Sequence, residues 1–205
     1  MLAGRRVRRT IDGVTKASGD TAGDAIGHGD DPIELVGGVE KRDIRIVPYD
    51  ATWPVRFEAE RARISVALGT RAVRIDHVGS TSVPGLCAKP IVDIDVSVGD
   101  PDDETAYLPA LESAGYHLRV RSPGHRMVRS AALDVHVHVC AAGGEWEQRH
   151  LLFRDWLRSH PDDRDLYART KQQLALEDWP DTNAYAAAKS DVIAAILARA
   201  SGTPS

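Results

Sequence analysis

Residues 90–98, Pro-Ile-Val-Asp-Ile-Asp-Val-Ser-Val, constrain this chain more than any other stretch. In an extended backbone Val92, Ile94, Val96 and Val98 fall on one side, and Asp93, Asp95 and Ser97 on the other. Four β-branched residues at alternate positions demand a strand with a buried aliphatic face, and hence a sheet covered by other elements. The same alternation stands two carboxylates side by side. Their repulsion calls for a counter-charge between them. Oxygen ligands converging on one point suit Mg²⁺ or Mn²⁺. For a bare Asp-x-Asp, carboxylates facing water or paired with Arg are the simpler reading.

The rest of the chain supplies the cover. With 205 residues, 42% hydrophobic and 27% charged, it is large enough to bury a core without covalent staples. Two cysteines, Cys87 and Cys140, exclude a disulfide framework and a four-cysteine zinc site, and fit a cytoplasmic setting. No apolar run approaches the roughly 20 residues of a membrane span. A net charge of −4 argues against a protein that coats nucleic acid.

Residues 1–40 are rich in Gly, Asp, Thr and Ala and lack aromatics, which predicts a disordered leader ahead of a domain over 41–200. The pattern then predicts strands at 44–47 and 72–78, with a helix at 53–68 between them, Thr52 as its N-cap and Gly69 as its stop. A loop follows over 79–89. After the Asp strand come a helix near 102–114 and strands at 116–121, 126–130 and 133–139. Helical spacing fills 145–159, 162–177 and 182–200. The fold class is therefore α+β (mixed α/β): a central mixed β-sheet flanked by helices, with a helical C-terminal part.

Gly79-Ser80 closes the 72–78 strand, thirteen residues before Asp93. A glycine at a strand end lets backbone amides approach a phosphate, and the Ser80 hydroxyl can donate to it, with Thr81 beside it. Lys89, at the mouth of the Asp strand, suits a phosphate contact or is a solvated charge. Arg126 could reach a phosphate or sit exposed at a strand end. Tyr185 and Lys189, four apart on the last helix, share a face and line a pocket or merely pack. In Leu-Asp-Val-His-Val-His (133–138), Asp134, His136 and His138 share one strand face. Each is a candidate third metal ligand, and the histidines are candidate general bases.

These blocks resemble a known family. Ile46-Val-Pro-Tyr-Asp50, Trp53-Pro54, Phe57, residues 77–86 and residues 88–95 look like the GrpB family, and the resemblance runs on to Lys189. That family is placed in the DNA polymerase β-like nucleotidyltransferase superfamily. The resemblance implies the nucleotidyltransferase fold, with Gly79, Ser80, Asp93 and Asp95 at the superfamily's Gly-Ser and Asp-x-Asp positions. It implies an NTP substrate, Mg²⁺ or Mn²⁺ as cofactor, and a small-molecule or protein acceptor. It favours His136 and His138 where a third carboxylate is usual. Domains of this kind also occur fused to dephospho-coenzyme A kinase, but this sequence has no Gly-x-x-x-x-Gly-Lys-[Ser/Thr] phosphate loop.

Overall fold

The computed structural model describes residues 33–202. The strands are β1 (Glu34–Leu35), β2 (Arg74–Val78), β3 (Val92–Val98), β4 (Tyr116–Ser122), β5 (His125–Ser130) and β6 (Val135–Ala141). They form one six-stranded sheet in the order β1-β4-β5-β6-β3-β2. Only β3 and β6 run parallel; every other neighbouring pair is antiparallel. The helices are α1 (Trp53–Leu68), α2 (Leu108–Ser113), α3 (Glu145–Ser159), α4 (Pro161–Leu174), α5 (Thr182–Ala187) and α6 (Ser190–Ala200). The architecture is the α+β sheet with a helical tail that the patterning implies.

The aliphatic face of β3 goes where its alternation requires. Val92, Ile94 and Val96 join Val137 and Val139 of β6 under Trp53, Phe57, Ile64 and Leu68 of α1 and Leu111 of α2. Each such side chain stabilises the fold by about 1.5–3 kcal/mol on burial. Pro54 sits in the first turn of α1, where its missing N–H costs nothing, and Gly69 caps the end at φ 56°. The expected cap differs in detail: Asp50 Oδ1 accepts from the Thr52 amide at 2.8 Å, and the Thr52 side chain makes no cap bond. A second core lies among the C-terminal helices, where Phe153, Leu157, Tyr167, Ala186 and Ile196 enclose Val83 and Leu86 of the 79–91 loop.

Four expectations are corrected. Residues 44–47 are not a strand: Val47 alone makes a bridge, with Ala88. The helix near 102–114 is a single 3₁₀ turn followed by the six-residue α2. The helix expected over 182–200 is broken at Ala188–Lys189, where no Gly or Pro marks the change of direction. Residues 33–40, expected to lack structure, are tied to the sheet: Glu34–Leu35 pair with β4, and Arg119 donates to the carbonyls of Val36 and Gly38. Residues 1–32 of the expected leader lie outside the described residues.

Candidate metal centre and anion cavity

The polar face of β3 meets the polar face of β6 in register, with Asp93 opposite His136 and Asp95 opposite His138. Parallel neighbours at one register point their side chains the same way, so four polar groups share one patch. Asp93, His136 and His138 each offer one ligand atom, and these atoms lie within 4.8 Å of one another. His136 Nδ1 stands 3.4 Å from Asp93 Oδ1, and His138 Nε2 stands 3.7 Å from the same oxygen. Asp93 Oδ1 and His136 Nδ1 are both buried, and neither has a hydrogen-bond partner among the described residues. Two donors about 2.1 Å from one ion stand about 3.0–3.5 Å apart, so this spacing fits a cation between them better than a bond across the gap. Burial works to raise the Asp93 carboxyl, but the His136 and His138 imidazoles overcome it and hold the group well below the ordinary carboxylate range. Burial also lowers His136, which favours the neutral, ligating imidazole.

Behind these three groups stands a buried wall. His125 Nε2 and His138 Nδ1 are 3.1 Å apart and share a proton, which leaves His138 Nε2 turned toward Asp93. Trp146 of α3 stacks on His125 with ring centroids 3.8 Å apart. His150, one turn further along α3, places Nδ1 2.9 and 3.0 Å from the two oxygens of Asp95. Asp95 is fully buried and held there, so it supports the patch and is not one of the three clustered ligands. Asp134 lies outside the cluster as well. It precedes β6, accepts from Arg56 of α1 at 2.5 Å, and accepts the Ser130 hydroxyl at 2.8 Å.

In front of Asp93 and His136 opens a small cleft. Its wall carries Ser80, Thr81, Lys89, Lys171, Tyr185 and Lys189, so five of the six expected phosphate-side residues beyond Gly79 gather here, and Lys171 joins them. Lys171 Nζ donates to Ser80 Oγ at 2.8 Å and to the Cys87 carbonyl at 2.6 Å. Lys189 and Lys89 Nζ lie 5.2 and 5.4 Å from the centre of the Tyr185 ring, on its face. Three ammonium groups against one carboxylate favour an anionic ligand.

Gly79 plays a part beyond the expected one. Its backbone (φ 64°, ψ −172°) is open only to glycine, and a Cβ there would fall 2.7 Å from Asp93 Oδ2. Arg126 is the sixth phosphate-side candidate, and it is elsewhere. It sits on β5 one residue out of phase with His125 and Met127, which face the site. Its guanidinium is bound to Glu104 at 2.5 Å and Asp102 at 2.9 Å, on the α2 side of the sheet.

Lys171, His125 and His150 are functional candidates that the motif reading missed. Lys171 stands alone in sequence, seventy-eight residues after Asp93. His150 had one local sign, its spacing of four from Trp146 on a helix. His77 is structural: it stacks on Phe57 with ring centroids 4.8 Å apart, and its Nε2 lies 3.0 Å from Thr81 Oγ1. Burial pushes the Cys140 thiol up, away from nucleophilic use.

Comparisons with known proteins show the family and the fold. The family model described as GrpB protein matches residues 43–199. A UPF0157 protein of Streptomyces coelicolor is 52% identical over 168 residues, covering 82% of this chain and 90% of that one. The crystal structure of a GrpB protein from Enterococcus faecalis superposes with a TM-score of 0.67 at 30% identity, covering 76% of this chain and 96% of that one. A protein of Mycolicibacterium paratuberculosis named dephospho-CoA kinase is 30% identical over 180 residues, and the match covers 74% of this chain but 44% of that protein.

Proposed function

Because the chain belongs to the GrpB family, we propose that it is a metal-dependent nucleotidyltransferase that moves a nucleotidyl group from an NTP to a small-molecule or protein acceptor. The observation that carries this reading is the juxtaposition of three convergent ligand atoms with a cavity whose wall bears three lysines and Ser80. Asp93, His136 and His138 would hold the ion. Two imidazoles and one carboxylate suit Mn²⁺ or Zn²⁺ better than Mg²⁺, which prefers an all-oxygen shell. When bound, the ion supplies Lewis-acid polarisation of a phosphoryl oxygen.

The chain's own residues do the remainder. Lys89, Lys171 and Lys189 bind and orient the phosphate oxygens and offset charge on the departing pyrophosphate. Ser80, already fixed by Lys171, donates to a phosphate oxygen from the turn after Gly79. In the reaction the acceptor oxygen bonds to the α-phosphorus. The bond from that phosphorus to its bridging oxygen breaks, pyrophosphate leaves, and the acceptor's proton passes to solvent. His125 and Asp95 keep the surrounding imidazoles oriented and touch no reacting atom.

The test is calorimetric titration with Mn²⁺, Zn²⁺ and Mg²⁺, followed by incubation with each NTP while pyrophosphate is measured. Metal binding that disappears in Asp93→Asn, together with metal-dependent pyrophosphate release, is the expected result. No metal binding at any of the three ions sinks the reading. The engagement of Asp95 by His150 favours a second reading, a one-metal nucleotide-binding regulator. It predicts retained metal and NTP binding with no pyrophosphate.

A further inference from the structure

A second cavity adjoins the first and shares Lys89, Ile91 and His136 with it. Among its lining residues are four cations, Lys89, Arg42, Arg119 and Arg129, and two carboxylates, Glu40 and Asp43. The Glu40 carboxylate sits inside the arginine group. Arg129 grips it with both terminal nitrogens, Nη2 to Oε1 at 2.6 Å and Nη1 to Oε2 at 2.9 Å. Arg42 adds bonds to Oε2 at 2.5 and 3.0 Å, and Arg119 Nη2 stands 4.0 Å from Oε1. Two parallel N–H···O bonds from one guanidinium are the geometry with which arginine recognises a free carboxylate.

The backbone that delivers Glu40 is separate from the sheet that delivers the arginines. Arg119 and Arg129 stand on β4 and β5, inside the family-matched region, whereas Glu40 precedes it by three residues. The segment is tied down at both sides: Arg119 donates to the Val36 and Gly38 carbonyls, and Thr182 donates to the Glu40 carbonyl at 3.2 and 3.3 Å. The carboxylate thus lies against sheet-borne arginines, one of which, Arg129, is the cross-strand partner of His136.

We propose that the arginine-lined cavity is the acceptor subsite, that the acceptor carries a carboxylate, and that Glu40 is an internal competitor for it. The assignment rests on the reading of the neighbouring cavity as the reaction site. An acceptor held by Arg129 and Arg119 presents its other end across Lys89 and His136, toward the phosphates. Release of Glu40 from Arg129 opens the subsite, so the 36–43 segment acts as a strap that closes it in the absence of acceptor.

The test is a chemical-shift titration of the Arg119 and Arg129 Nε–Hε signals with glutarate, and in a parallel arm with inorganic phosphate. It uses the full chain as wild type, Glu40→Gln, Glu40→Ala and Glu40→Ala/Arg129→Gln. The expected result is glutarate binding at least tenfold tighter in both single variants than in wild type, with the gain lost in the double variant. Unchanged glutarate affinity in Glu40→Gln and Glu40→Ala, with only a lower melting temperature, makes Glu40 a structural clamp and overturns the proposal. A gain for phosphate without one for glutarate overturns the carboxylate assignment. Mn²⁺ affinity, measured on the same samples, separates the two readings. Lost glutarate gain with intact Mn²⁺ binding refutes the subsite alone, and absent Mn²⁺ binding refutes the metal centre alone.

Discussion

Gly79→Ala is the sharpest perturbation the site offers. The new methyl carbon would lie 2.7 Å from Asp93 Oδ2, 3.0 Å from its Cβ and 3.2 Å from its Cγ, all inside normal contact. The backbone at φ 64°, ψ −172° adds strain that only glycine escapes. Forcing a non-glycine residue there costs about 1–3 kcal/mol. Overpacking a buried contact costs about 1–3 kcal/mol more. The variant should therefore lose about 2–6 kcal/mol, against a total stability of about 5–15 kcal/mol for a domain. Because the carboxylate must rotate to make room, Mn²⁺ affinity should fall as well. Urea denaturation measures the first quantity and calorimetric titration the second. In an Asp93→Ala background the Oδ2 and Cγ contacts vanish while the Cβ contact remains, so the same glycine change should cost less by about 1 kcal/mol or more. A loss below about 0.5 kcal/mol with unchanged Mn²⁺ binding would refute the packing account of this glycine.

Other outcomes follow from the same geometry. Asp93→Asn should abolish Mn²⁺ binding, whereas Asp95→Asn should weaken it and destabilise the fold, since His150 loses a charged acceptor in a fully buried setting; equal metal affinities in the two variants would contradict that division of labour. His125→Ala should lower Mn²⁺ affinity about 10–100-fold by freeing the His138 ring, read by titration, while an unchanged affinity removes His125 from the support of the site. Arg126→Ala should lower the melting temperature and leave NTP affinity unchanged, because its partners are Glu104 and Asp102. Burial pushes the His77 imidazole from 6.5 down to about 4, so between those pH values the unfolded chain binds the extra proton. Stability tied to His77 is then complete above about pH 6.5 and falls as pH drops toward 4, by up to about 3 kcal/mol. The slope should flatten in His77→Gln; an identical slope in both proteins counts against it.

Alternation made the core legible. Val92, Ile94, Val96 and Val98 declared their own face, and the period of Trp53, Phe57, Ile64 and Leu68 declared the helix that covers it. The same period located Asp93 on the polar face. It could not separate Asp93 from Asp95, because both share that face and the difference lies in His150, more than fifty residues away. Asp134 misled for a related reason: it stands in phase with His136 and His138, but it lies just before β6, where Arg56 and Ser130 hold its carboxylate. Arg126 and Met127 differ by one position, and only the pairing register with β6 decides which of them faces the site. Lys171 falls within the family resemblance, but its contact with Ser80 and the grip of Arg129 on Glu40 span 91 and 89 residues and leave no local pattern.

The three candidate ligands are contributed by the two parallel strands at the middle of the sheet, and Asp93 and His136 are neighbours only through a crossover that passes through α2, β4 and β5. No fragment shorter than that crossover holds both. The amides beneath them should exchange with solvent only when the whole sheet opens, so metal affinity and global unfolding free energy are linked quantities. Bound metal should then raise the unfolding free energy of the whole sheet, and a destabilising change in β3, β6 or the elements between them should show most clearly once the metal is removed.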